Sequence, residues 1–206
     1  ENQNFERAIA LAKDGITCDE QSKPGLAKDW YDWLLKIALV QNDKPKIIEY
    51  ARFRLIENFG ATQDYYQILK NNIEPEKWHP FLEEIIKEVT PKNRWTYTEL
   101  IRKVYIKEEW WDRLFLMLKQ NLSLENIQEN EQYLAKDYSA ELIELYSERL
   151  TNYVEKYVGR NNYQTACRYL RRMKKLGGND KVNELIELFR KQYPQRKALM
   201  DELTRV

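Results

Sequence analysis

The sequence predicts an all-α fold: an α-solenoid of antiparallel helical hairpins with degenerate tetratricopeptide-like repeats, running as a single helical-repeat domain over residues 1–206. Three observations predict it. Six Gly and six Pro in 206 residues are too few to punctuate a β-rich or loop-rich chain, and the runs between them are rich in Ala, Leu, Glu, Lys, Arg and Gln, which surrender little side-chain freedom in a helix. Apolar residues recur at helical spacing from end to end. An apolar doublet also returns at Ile47-Ile48, Phe81-Leu82, Leu114-Phe115, Leu142-Ile143 and Leu185-Ile186, at intervals of 34, 33, 28 and 43 residues. The first two intervals match the tetratricopeptide period, whereas the later two and the consensus residues do not. Hairpins of this kind each bury an apolar face on the next.

The elements follow in order. Phe5, Ala8, Ile9 and Ala12 make the first apolar stripe, with Gly15 expected as its left-handed cap. Trp30, Trp33, Leu34, Ile37 and Ala38 make the second. Asp43-Lys44-Pro45 has the form of a helix start, and Ile47, Ile48, Ala51 and Leu55 form the stripe that follows, expected to close at Gly60. Glu74-Pro75 and His79-Pro80 are expected to break the chain before Phe81. Thr96 and Glu99 have the spacing of a capping box, in which each satisfies the other's backbone donor. Leu142, Leu145, Tyr146, Leu150 and Tyr153 share a face, as do Val182, Leu185, Ile186, Phe189 and Tyr193. Gly177-Gly178 closes one helix and Asn179-Asp180 opens the next.

Composition narrows the function. Apolar residues make up 43% of the chain, enough for a real core, and the net charge of +1 gives no global field toward nucleic acid or membrane. No apolar run approaches the roughly 18 residues that span a bilayer, and no stretch has the form of a secretory signal. Cys18 and Cys167 form no disulfide framework, so a reduced, cytoplasmic setting is expected. An opening at Glu1 rather than Met is expected of a segment of a longer protein.

Catalytic chemistry is thinly represented, and no enzyme activity or cofactor is expected. His79 is the single histidine and reads as a turn residue between Trp78 and Pro80. With two distant cysteines it makes no zinc spacing, and there is no glycine-rich phosphate loop. The doublets Glu83-Glu84 and Glu108-Glu109 read as helix-start carboxylates, because neighbours about 100° apart make a poor acid/base pair. Trp30, Trp33, Trp78, Trp95, Trp110 and Trp111 read as seam aromatics between repeats, with base stacking as the alternative.

One stretch stands out, NNYQTACRYLRRMKKLGG from Asn161 to Gly178. Arg160, Arg168, Arg171, Arg172, Lys174 and Lys175 fall within residues 160–175 with no acid among them, whereas residues 121–150 carry seven acids against Lys136 and Arg149. The near-zero total therefore hides a polarised chain. On a helix Arg168, Arg171, Arg172 and Lys175 line one face, with Ala166, Tyr169, Leu170 and Met173 opposite. Three uses of that row stand open: a solvated face, pairing with the acidic segment within or between chains, and phosphate contacts. The candidate binding surface comprises Arg160, Tyr163, Arg168, Arg171, Arg172 and Lys175.

Several stretches form a recognisable set: GLAKDWYDWLLKIAL (Gly25 to Leu39), DYYQILK (Asp64 to Lys70), EEWWDRLFLMLKQN (Glu108 to Asn121), YLAKDYSAELIELY (Tyr133 to Tyr146), GRNNYQTACRYLRRMKKLGG (Gly159 to Gly178) and LIELFRKQYPQRKALMDEL. Together and in order they resemble the C-terminal helical region of bacterial SWIM zinc-finger proteins. That family's Cys-x-Cys…Cys-x-His zinc element has no counterpart here, since Cys18, Cys167 and His79 stand at other spacings. The resemblance implies helical-repeat character, a bacterial cytoplasmic setting and a zinc element upstream. The expected function is a non-enzymatic helical-repeat scaffold that engages protein partners for a larger SWIM zinc-finger protein. The alternative is an accessory nucleic-acid-binding module using the basic helix 161–176.

Overall fold

The computed structural model describes residues 2–19, 23–57, 64–92 and 95–206, and among these every regular element is a helix. The chain divides into two compact units, Glu1–Val104 and Tyr105–Val206.

The first unit opens with α1 (Asn2–Asp19), α2 (Pro24–Gln41), α3 (Lys44–Glu57) and α4 (Tyr65–Asn72), each packed on the next. It continues with α5 (Pro75–Val89), a 3₁₀ turn (Thr90–Lys92) and most of α6 (Trp95–Lys107). Gly15 is not the cap of α1, which runs on to Asp19. A Cβ there would stand 2.4 Å from the Trp30 indole, so glycine lets α2's tryptophan lie against the α1 backbone. Trp30 Nε1 completes the contact by donating to Asp19 Oδ2 at 3.0 Å. On α2 the buried arc holds Ala27, Leu34, Leu35 and Ala38, while Trp33 faces solvent. The helix packs on both α1 and α3, which turns Leu35 inward and carries Trp33 out.

Helix ends are set by short polar residues. Asn42 takes the left-handed conformation that closes α2, with φ of 53°. Asp43 then caps α3 by accepting from Lys46 N, and Asp64 caps α4 by accepting from Gln67 N. The chain is not broken up to Phe81: Pro75 opens α5 at its first position, and Pro80 does not interrupt it. Its missing N–H costs one hydrogen bond in the second turn, on a side where Glu76, His79 and Pro80 are exposed. His79, Glu83 and Glu84 are therefore residues of a continuous helix rather than of a turn or a helix start. Gly60 and the Thr96 side chain of the expected capping box lie outside the described residues; the Glu99 carboxylate pairs with the Arg102 guanidinium.

A polar knot crosses the first unit. Arg54, 4% exposed, donates through Nε and Nη2 to the two oxygens of Asp32 at 2.7 and 2.8 Å, and Tyr65 Oη donates to Asp32 Oδ1 at 2.6 Å. One residue each from α2, α3 and α4 is thereby fixed in register.

The second unit contains α7 (Trp111–Gln120), α8 (Leu124–Lys156), α9 (Arg160–Lys175), α10 (Asn179–Gln192) and α11 (Lys197–Leu203). Tyr138 interrupts α8 with φ −127° and ψ 26°. The two arms, 124–137 and 139–156, fold back on each other. Tyr146 Oη reaches Glu131 Oε2 at 2.8 Å across fifteen residues, a rise of about 22 Å had the helix been straight. The Tyr138 ring stacks on Phe115 of α7 and its hydroxyl bonds to Asp112, which holds the bend. Leu142-Ile143 thus lies near the start of the second arm. Against α8 lie Ala166, Cys167, Leu170 and Met173 of α9 and Val182, Leu185 and Phe189 of α10, and the same core takes in Leu199 and Leu203 of α11, which packs on α9. Gly177, at φ 93°, makes the turn out of α9, and a Cβ on Gly178 would meet Ile143 at 3.0 Å.

Replacing Gly15 by Val should cost about 1–3 kcal/mol of stability in urea unfolding and red-shift tryptophan emission as the Trp30 indole is displaced.

Candidate functional site

Helix α9 is the most polarised element of the chain and packs on α8, α10 and α11. Its inward face is the expected one: Ala166, Tyr169, Leu170 and Met173 are all buried. Tyr163 does not lie beside the basic row but belongs to this core, at 4% exposure. The helix enters from Gly159, whose φ of 109° excludes most other residues, and its last turn carries Arg172, Lys174 and Lys175 where cations favour the dipole.

Four of the six cations have separate partners on other elements. Arg172 binds Glu131 bidentately, Nε to Oε2 at 3.0 Å and Nη2 to Oε1 at 3.1 Å. The same Oε2 accepts from Tyr146 Oη. Arg160 donates to Glu202 Oε1 and Asp201 Oδ2, both at 3.0 Å, and Gln164 adds a bond to Glu202. Glu202 is 3% exposed, so these bonds compensate a buried carboxylate. Arg171 reaches the Arg205 carbonyl at 3.3 Å and Lys174 the Val206 carbonyl at 2.8 Å. Arg168 is exposed, with its guanidinium 5.4 Å from the Tyr169 ring, and Lys175 is exposed without an ion partner among the described residues. The row of four is thus a joint to α8 and a clamp on the segment around α11, with two cations facing water.

The electrostatics fit a joint. For Arg172, burial lowers the pKa, but the Glu131 carboxylate outweighs it and the guanidinium titrates above its ordinary value. Burial, reinforced by the bond to Glu131, pushes the Tyr146 phenol well above its usual range. Burial raises the Cys167 thiol to about 11, which keeps it protonated and unreactive at neutral pH. Among the described residues no three His, Cys, Asp or Glu side chains are grouped to hold a metal ion.

Glu131 was visible in the sequence only as one of seven acids. Asp201 and Glu202 carried a signal of their own, since carboxylates in the last turn of α11 oppose its dipole unless cations compensate them. Set beside protein-family models, curated proteins and solved structures, the chain matches none of them.

Glu131→Leu should cost about 2–4 kcal/mol, because it leaves Arg172 and Tyr146 without their acceptor. Adding Arg172→Met should recover part of the loss, as read in a double-mutant cycle by urea unfolding. The raised Tyr146 phenol stabilises the fold below its unfolded pKa near 10, and this contribution is lost as pH rises. Stability should therefore fall between about pH 10 and pH 12, and Tyr146→Phe should remove about 1.4 kcal/mol per pH unit of that slope.

Proposed function

We propose that the chain is a non-enzymatic helical-repeat scaffold, a C-terminal, tetratricopeptide-like module of a larger SWIM zinc-finger protein that engages a protein partner in the cytoplasm. The observation that carries this reading is the use of α9's charge. Four of its six cations hold α8, α11 and the residues after α11, so they build a rigid helical surface rather than converge on one ligand.

Packing order supports the repeat character. In the first unit α1, α2, α3 and α4 pack consecutively, and in the second α8, α9, α10 and α11 touch the next helix or the next but one, as stacked hairpins do. The groups shifted most strongly, Tyr138, Tyr146 and Cys167, are all shifted toward their neutral, unreactive forms, which favours a scaffold over a nucleophilic enzyme. The ordered set of SWIM-like stretches supports the family context.

Arg168 and Lys175 are the part of the basic row left for a partner. Arg168→Glu with Lys175→Glu should abolish recovery of the partner protein from a bacterial lysate while leaving the far-UV CD melt unchanged. An unchanged set of recovered proteins would remove these residues from the surface. Nucleic acid makes a separate test. Two exposed cations support a log–log salt slope no steeper than about −2 on duplex DNA. A slope of about −3 to −4 would favour the alternative module.

A further inference from the structure

Helix α2 carries an apolar row on its solvent side. Leu26 is 45% exposed, Trp33 56% and Val40 71%, although all three are large hydrophobic residues. They stand seven residues apart, and on an α-helix that places them within about 40° of one line along the axis. Asp29 and Lys36, both exposed, lie beside this line on one flank. The Lys36 ammonium sits 4.6 Å from the Trp33 ring, and Asp29 has no ion partner among the described residues.

We infer that this face is an interface with a second copy of the same chain, made by two α2 helices packed antiparallel about a twofold axis at Trp33. The pattern is complementary to itself. In an antiparallel pair centred there, Trp33 faces Trp33 of the second copy and Leu26 faces Val40 of the second copy. Asp29 comes level with Ile37 of the second copy, one residue or about 1.5 Å from its Lys36. A twofold axis perpendicular to both helices keeps the flank bearing Asp29 and Lys36 on the same side in the two copies. Each carboxylate therefore meets the opposite ammonium, twice by symmetry. Parallel pairing would put the two charged flanks on opposite sides of the contact, where neither carboxylate meets an ammonium, so charge favours the antiparallel arrangement. Trp33 is the expected anchor, an aromatic at the centre of a small patch. The helix presents a strip about 27 Å long and 10 Å wide, well under the roughly 800 Å² per partner of a standard interface. The pair is accordingly a weak, reversible one.

Sedimentation equilibrium from about 10 µM to about 1 mM, the range suited to an interface below standard size, tests this. The apparent mass should rise from 25.0 kDa toward twice that value. Trp33→Glu and, independently, Val40→Lys should hold the chain monomeric with unchanged helical CD. Asp29→Lys and Lys36→Asp should each weaken association, and an equimolar mixture of the two should restore it. In a Cys18→Ser background, Leu26→Cys mixed with Val40→Cys should cross-link on mild oxidation faster than either variant with itself. A chain that stays monomeric throughout overturns the inference and leaves the face to a different protein. Association undiminished by Trp33→Glu, or faster cross-linking of Leu26→Cys with itself, overturns the interface as drawn.

Discussion

One carboxylate organises the second unit. Glu131 accepts from Arg172 through both oxygens and from Tyr146 through one of them, so the arms of α8 and the facing turn of α9 meet at one charge. Apolar packing alone leaves helices free to slide by small amounts, because a row of Leu and Val fits another row at several offsets. Directional bonds at a partly buried site remove that freedom, since any slip leaves a charged group desolvated without a partner. This junction ties the fold-back at Tyr138 to the face of α9 that buries Leu170 and Met173.

The first unit uses the same device with the signs exchanged. There a guanidinium, Arg54, is the buried group, and Asp32 and Tyr65 come to it from the helices on either side. Each unit thus has a charged residue at the centre of such a network and a tyrosine hydroxyl closing it. Tyrosine suits the task because its ring adds buried apolar area while its hydroxyl needs a partner. This is one physical use for the 14 tyrosines of the sequence.

Much of the architecture was legible in the residues. The periodicity of Leu142, Tyr146 and Leu150, and that of Val182, Leu185, Ile186 and Phe189, matches faces that are buried. Asp43 and Gly177-Gly178 punctuate the chain where local chemistry says they should. Gly15 and Pro80 misled because each has two physical uses. Glycine serves a cap or a close crossing, and proline breaks a helix or sits in its early turns on the solvent side. Which use applies depends on Trp30 in one case and on exposure in the other, and neither is local in sequence. The fate of the basic row was legible only as a set of alternatives, because Glu131 and Glu202 lie 41 and 42 residues from the arginines that bind them.

That separation has a consequence for the order in which the chain matures on the ribosome. Arg172 finds its acceptor already synthesised, whereas Arg160 waits 42 residues for Glu202. At roughly 5–20 residues per second, this is a delay of about 2–8 s. Once Arg172 has followed, α9 can pair with Glu131 of α8 while the surface that α11 will cover is still open. Closure by Leu199, Leu203 and the Arg160 clamp is therefore the last assembly step of this unit, and the interval before it is when a chaperone has access to that surface.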